Sequence, residues 1–124
     1  SHFHWVSGLP FWGENVPGMD TFLKAFQAHA GDARPDFYLL MSYLQGLISL
    51  EAAKRAIEGG SLNRDTYVKA LQSIKNWNAG GLLQNIDLSK VPYVAGTKTR
   101  VLKPDFKNKT WTVVADYAAP SNAG

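Results

Sequence analysis

Three aromatic side chains stand where a small solute could be met. Tyr38 lies at the start of a long apolar helix pattern. Phe11 and Trp12 sit in a loop punctuated by Gly8, Pro10, Gly13, Pro17 and Gly18. Small-molecule sites are mostly apolar and aromatic with a few polar groups, and loops held by a scaffold often supply them. Tyr38 could stack on a solute or hydrogen-bond to it, and Phe11 with Trp12 could form a cleft wall. Each also has a plain packing role open to it. Tyr38 could be a core aromatic at a helix start, and the Phe11-Trp12 pair a plug on the first helix. Tyr43, five residues after Tyr38, points to another side of the helix and reads as core.

Other reactive residue types form no constellation. His2 and His4 have the i, i+2 spacing that puts two side chains on one face of a strand, a spacing that could begin a zinc site. No further ligand accompanies them, and His29 stands alone, so no metal site is assigned. Asp20, Asp36 and Glu51 are accounted for as helix caps and solvent-facing carboxylates. The free N–H groups at the helix start near Asp36 could hold an anion, but Asp36 itself fills that place. There is no Ser/His/Asp motif and no glycine-rich phosphate loop. Asn108-Lys109-Thr110 matches a glycosylation sequon, a three-residue pattern common by chance. With no cysteine in the chain, disulfides, thiol nucleophiles and thiolate metal sites are excluded. The expectation is a protein that is not an enzyme and needs no cofactor.

Composition narrows the rest. The 124 residues are 45% hydrophobic and 19% charged, so the chain can bury a core. The net charge is +3 from 13 basic and 10 acidic residues. The basic residues are scattered, the densest set being Lys98, Arg100, Lys103, Lys107 and Lys109. A nucleic-acid binder would concentrate them more strongly on one face. No apolar run approaches the ~20 residues that span a bilayer. The sequence opens at Ser1 on a strand-like run without an initiating methionine, as if cut from a longer chain.

The elements that must position these residues follow from periodicity and punctuation. Phe3–Val6 reads as a strand. Asp20 is the expected cap of a helix carrying Phe22, Leu23, Phe26 and Ala30, stopped by Gly31. A second helix starts at Pro35 or Asp36 and ends at Gly59-Gly60, with a stripe of Phe37, Leu40, Met41, Leu44, Leu47 and Ile48. Tyr38, Leu39, Tyr43 and Leu50 make its first half apolar nearly all round, so it should be covered on several sides. Asn63 caps a third helix whose clean face is Tyr67, Val68, Leu71 and Ile74. Trp77–Gly96 shows no period and could lie over a surface supplied from elsewhere. Thr97–Leu102 and Thr110–Ala115 read as strands joined by a turn near Asp105–Lys109, with Pro104 suggesting an edge position. Residues 118–124 read as a tail. Three strands are too few to cover three such helices, so a sheet from sequence outside this chain is expected.

That order and spacing resemble the type I periplasmic binding proteins of the branched-chain amino acid transport group. The likeness runs from Trp5 to Tyr117 and concerns that family's last third. It is carried by WVSGLPFW, MDTFLKAFQAHAGDARPDFY, SYLQGLISLEAAKRA, NRDTYVKALQSI and TRVLKPDFKNKTWTVVAD. The resemblance implies an α/β fold, the C-terminal segment of a bilobed protein: strand, three helices, long loop and terminal β-hairpin. It implies that residues 1–12 hold a strand and crossover from the second lobe, and that 13–96 lie mainly in the first lobe. Residues 97–117 would then close the second lobe, with 118–124 as tail.

The same resemblance implies function. Such proteins hold a solute between two lobes, close on it and dock on a membrane ABC transporter permease, with no bond made or broken. It places Tyr38 in the cleft and brings Phe11 and Trp12 near it. The implied solute is an amino acid or aromatic carboxylate, and the implied location is the bacterial periplasm or cell surface. The family's contacts to the solute's charged groups come mostly from earlier sequence, so this segment alone is not expected to bind. It should dimerise or associate with the rest of its own protein. The alternative is an independent α/β interaction domain that oligomerises through Phe37–Leu50. A small enzyme using cleft carboxylates is the weakest reading, because no motif supports it.

Overall fold

A computed structural model describes residues 2–91 and 98–120. The chain order is β1 (Trp5–Ser7), α1 (Pro17–His29), α2 (Phe37–Glu58), α3 (Arg64–Gln72), β2 (Thr99–Asp105) and β3 (Thr110–Ala118). The three strands form one antiparallel sheet in the order β1-β2-β3.

Local chemistry sets most helix ends. Asp36 caps α2, its carboxylate accepting the Leu39 N–H at 3.0 Å. At the other end Gly59 donates its N–H to the Arg55 carbonyl at 3.0 Å, and Gly60 follows at a φ of +119°. Asn63 and Thr66 form a reciprocal capping box that starts α3. The expected Asp20 cap is corrected. Pro17 takes the first helical position with Val16 before it, so α1 begins four residues earlier than an Asp20 cap would place it and uses no side-chain cap. Asp20 lies in the first turn, where its charge suits the positive end of the helix dipole.

The core is built mainly by the helices and the segment after α3. Leu40 and Leu44 of α2 are buried with Met19 and Phe22 of α1. In the second half of α2, the buried Ala52 and Ala56 present a small-residue surface where α2 packs on α3. Arg55 braces the pair: it bonds Glu51 at 2.7 Å and the Ser73 carbonyl at the end of α3 at 2.9 Å. Two expectations for these helices are revised. Tyr38 and Leu50 stand 75% and 67% exposed, so the described residues do not cover α2 on those sides. Val68, expected on the inner face of α3, is also exposed, and Ala70 turns inward instead.

The irregular segment expected over 77–96 packs into this chain's own core as far as residue 91, and residues 92–96 lie outside the described residues. Ile74, Leu82, Leu83 and Ile86 are buried in the same core as the helices. A bridge between Trp77 and Ile86 holds the segment, and the Leu88 N–H bonds the Ile74 carbonyl at 2.9 Å. The segment docks on α1 at Gly18, whose N–H donates to the Gly80 carbonyl at 2.8 Å. A Cβ at Gly18 would come within 2.7 Å of the Ala79 carbonyl oxygen, so only glycine permits this approach.

The strand bounds differ by up to three residues from the sequence reading. β1 begins at Trp5, and β3 runs on to Ala118, which was assigned to the tail. Thr97, the expected start of β2, and residues 121–124 of the tail lie outside the described residues. Pro104 does not mark an edge strand, because β2 is central. β1 pairs only with Arg100–Leu102, however, so Pro104 lies beyond it and no ladder bond to β1 is lost.

The β2–β3 turn is closed by Asp105, whose carboxylate accepts the Asn108 N–H at 3.0 Å and its side-chain amide at 2.8 Å. The Asn108 side-chain and backbone bonds hold the Asp105 carboxyl below its ordinary value. A carboxylate with a lowered folded pKa stabilises at pH above its unfolded value and loses that contribution as pH falls through the folded one. Urea midpoints should therefore decline below about pH 4, and Asn108→Ala should show a shallower decline over that window. Equal slopes for both chains would refute this role for Asp105.

Candidate functional site

The register of the sheet brings two tryptophans together. Trp5 lies opposite Leu102 and Trp111 opposite Pro104. Leu102 and Pro104 are two residues apart, so both tryptophans project from one face and meet across β2. Their rings are 5.0 Å apart, and Phe3 lies 6.4 Å from Trp111. Phe37 completes the contact from the first turn of α2, edge-on to Trp5 at 5.2 Å. Between these rings lies an open groove of about 420 Å3.

Pro10, Trp12, Pro35 and Leu40 also line the groove, and Asp36 is the one charged residue among its described lining. One oxygen of that carboxylate is already committed to the cap of α2. The site therefore offers mainly π faces and aliphatic carbon. Among the described residues it holds no nucleophile and no paired acid and base. It suits the apolar or aromatic part of a small molecule.

The sequence candidates divide. Trp12 lines the groove and also packs edge-on against Phe22 and Phe26, each at 4.9 Å, so it serves as wall and as plug. Tyr38 stands beside the groove, its ring edge-on to Phe37 at 6.2 Å. Phe11 is not among the lining residues and instead faces the Arg100 guanidinium at 5.5 Å. Tyr43 packs on Phe22 at 5.0 Å, in the core as expected. His2 and His4 are exposed and precede β1, so they do not share a strand face. Among the described residues no group of three His, Asp or Glu side chains is placed to hold a metal. Sequence reasoning missed Trp5, Phe37 and Trp111 as site residues. Two tryptophans on short strands were a signal, but only the pairing register shows that they meet.

A second cluster lies apart from the groove. Arg100, one of the densest local set of basic residues in the sequence, is 3% exposed. Its two terminal nitrogens donate to both oxygens of Glu14, one bond measuring 2.7 Å. Glu14 also accepts the Phe11 N–H at 3.0 Å. The guanidinium lies over the Tyr117 ring at 4.7 Å. Burial works against the arginine's charge, but the Glu14 hydrogen bonds prevail and its pKa is raised. Burial likewise pushes the Tyr117 phenol up to about 12. Arg100 Nε and the Tyr117 hydroxyl have no hydrogen-bond partner among the described residues.

No family model matches the sequence, and no curated protein matches it. Two solved structures do match. One is a fatty acid ABC transporter substrate-binding protein from Thermomonospora curvata, with a TM-score of 0.79 and 19% identity. The match covers 94% of this chain and 30% of that one. The other is a branched chain amino acid ABC transporter protein from Thermus thermophilus with bound valine, with a TM-score of 0.76 and 18% identity. That match covers 94% of this chain and 33% of the other. The chain thus spans about a third of the length of each structure it resembles. The expected fold is found: an α/β segment of the substrate-binding protein fold, of a size that fits its C-terminal part.

Proposed function

We propose that this chain is the C-terminal part of the solute-binding component of an ABC-type uptake system. The observation that carries the reading is the groove walled by Trp5 and Trp111 on one side and Phe37 on the other, within a fold shared with two such proteins. In this reading β1 and the β2–β3 hairpin belong to one lobe and the helices mainly to the other. Residues 1–12 then carry the strand and crossover, 13–96 the helices and loop, and 97–117 the closing pair. The groove lies where the lobes meet. The solute is an amino acid or aromatic acid whose apolar portion packs against the aromatic wall, with Tyr38 and Trp12 as contacts. Among the described residues the lining has no cation, and in this reading the carboxylate is held by other parts of the complete protein. The complete protein works outside the cytoplasmic membrane and delivers its solute to a permease without chemistry. No described helix is long and apolar enough to cross a membrane.

Oligomerisation through Phe37–Leu50 is less well supported. Leu40 and Leu44, central to that stripe, are buried in the chain's own core and are not available to a second copy.

The test is a thermal-shift screen of the natural protein that contains this sequence, against amino acids and aromatic acids. A ligand that binds only the native state raises the melting temperature. The exposed Tyr38 is the informative variant. Tyr38→Ala should keep the unliganded melting temperature and weaken the responding solute by about tenfold, the loss expected for one aromatic contact. A panel without any responder, or full affinity in Tyr38→Ala, would contradict the proposal.

A further inference from the structure

The sheet and the helices are joined by two passages of chain. One leaves β1 after Ser7 and enters α1 at Pro17, and the other returns to the sheet at Thr99. Glu14 lies in the first passage and Arg100 is the second residue of β2, so their ion pair spans 86 positions in sequence. The other two ion pairs among the described residues, Lys54–Glu58 and Arg55–Glu51, lie within α2. We infer that the Glu14–Arg100 pair is a clasp that sets the angle between the sheet and the helices, and with it the width of the groove between them.

Three features favour a clasp over a plain stabilising contact. First, the passage is a stiff series of turns. The Leu9 N–H bonds Ser7 Oγ at 3.1 Å, the Glu14 N–H bonds the Phe11 carbonyl at 3.1 Å, and the Val16 N–H bonds the Glu14 carbonyl at 2.8 Å. The Glu14 carboxylate is thus presented from a backbone held on both sides. Second, the grip is a two-pronged guanidinium–carboxylate contact, which constrains direction as well as distance. The aromatic contact between Trp5 and Phe37 is far less directional and would let the two parts slide. Third, Arg100 is buried. A charge removed from water is compensated only when its partner sits in good geometry, so departure from one angle is penalised on both sides. The rings of Phe11 and Tyr117 flank the guanidinium and close it off.

Glu14 and Arg100 are absent from the groove lining, so they are positioning residues. The inference depends on the groove lying between sheet and helices and not on which solute it takes. It therefore stands or falls separately from the transport reading.

The test is a distance measurement in the natural protein containing this sequence. This segment has no cysteine, so within it spin labels attach only where introduced. Phe106→Cys in the hairpin turn and Ile57→Cys near the end of α2 are exposed positions on the two parts. Pulsed-EPR distances between them should form one narrow distribution. Glu14→Gln and Arg100→Met should broaden it by about twofold or more at unchanged helical circular dichroism, because the directional fork is lost. Arg100→Lys should give an intermediate width, since it keeps the charge without the planar fork. Lys54→Met, which breaks a surface pair, should leave the distribution unchanged. Widths that stay narrow in Glu14→Gln and Arg100→Met would overturn the inference. So would loss of the helical signal in Glu14→Gln, which would assign the pair to holding the fold.

Discussion

Glu14→Ala should destabilise the native state by about 3 kcal/mol, the lower part of the range for removing one partner of a buried ion pair. The lower part applies because the Glu14 side chain keeps 18% exposure while that of Arg100 keeps 3%. The loss comes mainly from what remains. Without the carboxylate, a guanidinium stays buried with no acceptor, and the Phe11 N–H also loses its partner. The double variant Glu14→Leu/Arg100→Met should recover much of the loss, because no unpaired charge is left inside. Lys54→Ala provides the contrast: that pair is mostly exposed at 3.9 Å and should change stability by less than about 1 kcal/mol. Urea denaturation of the four chains decides the matter. A Glu14→Ala cost no larger than that of Lys54→Ala would show that Arg100 finds water or another acceptor when released.

Leu82→Ala is the second large effect expected. Leu82 is fully buried in the segment between α3 and β2, against Met19, Phe22 and the α2 core. Truncating a fully buried leucine removes its transfer free energy and leaves a cavity, a cost of roughly 2–5 kcal/mol. The Gly18–Gly80 bond and the tight approach of Gly18 to Leu82 leave little room for collapse, which argues for about 3 kcal/mol or more. The result bears on how the irregular segment is held. If it were a cover for some other surface, Leu82→Ala would be nearly silent in this chain. A loss below about 1 kcal/mol would indicate that and contradict the core described above.

Much of the fold was legible because its signals are local. The ends of α2 and the start of α3 rest on bonds over a few residues: Asp36 to Leu39, Asn63 to Thr66, and Gly59 closing on Arg55. The hairpin turn was expected near Asp105–Lys109, and the structure closes it by local bonds from Asn108 to Asp105. The start of α1 was misread because two local signals competed, and proline at the first helical position prevailed over an aspartate three residues later. The segment from Trp77 onward could not be read because its turns rely on positive φ at Asn76, Ala79 and Asn85, for which a period search has no signal.

The candidate site was legible only in part. Tyr38 and Trp12 could be singled out from a helix start and a Pro/Gly loop. Trp5, Phe37 and Trp111 come together through strand register and the packing of one helix turn on a sheet, which no short window contains. By itself the sequence determined where α2 and α3 start, the apolar character of the second helix, the absence of thiol chemistry and the resemblance that identified the fold. Tertiary structure alone decided that an arginine in a basic stretch is buried on Glu14, that Phe11 faces it, and that three distant aromatics share one groove. The physical reason is range. Caps and turns are settled by neighbours a few residues apart, whereas burial of a charge and convergence of rings depend on partners brought together only when the chain closes on itself.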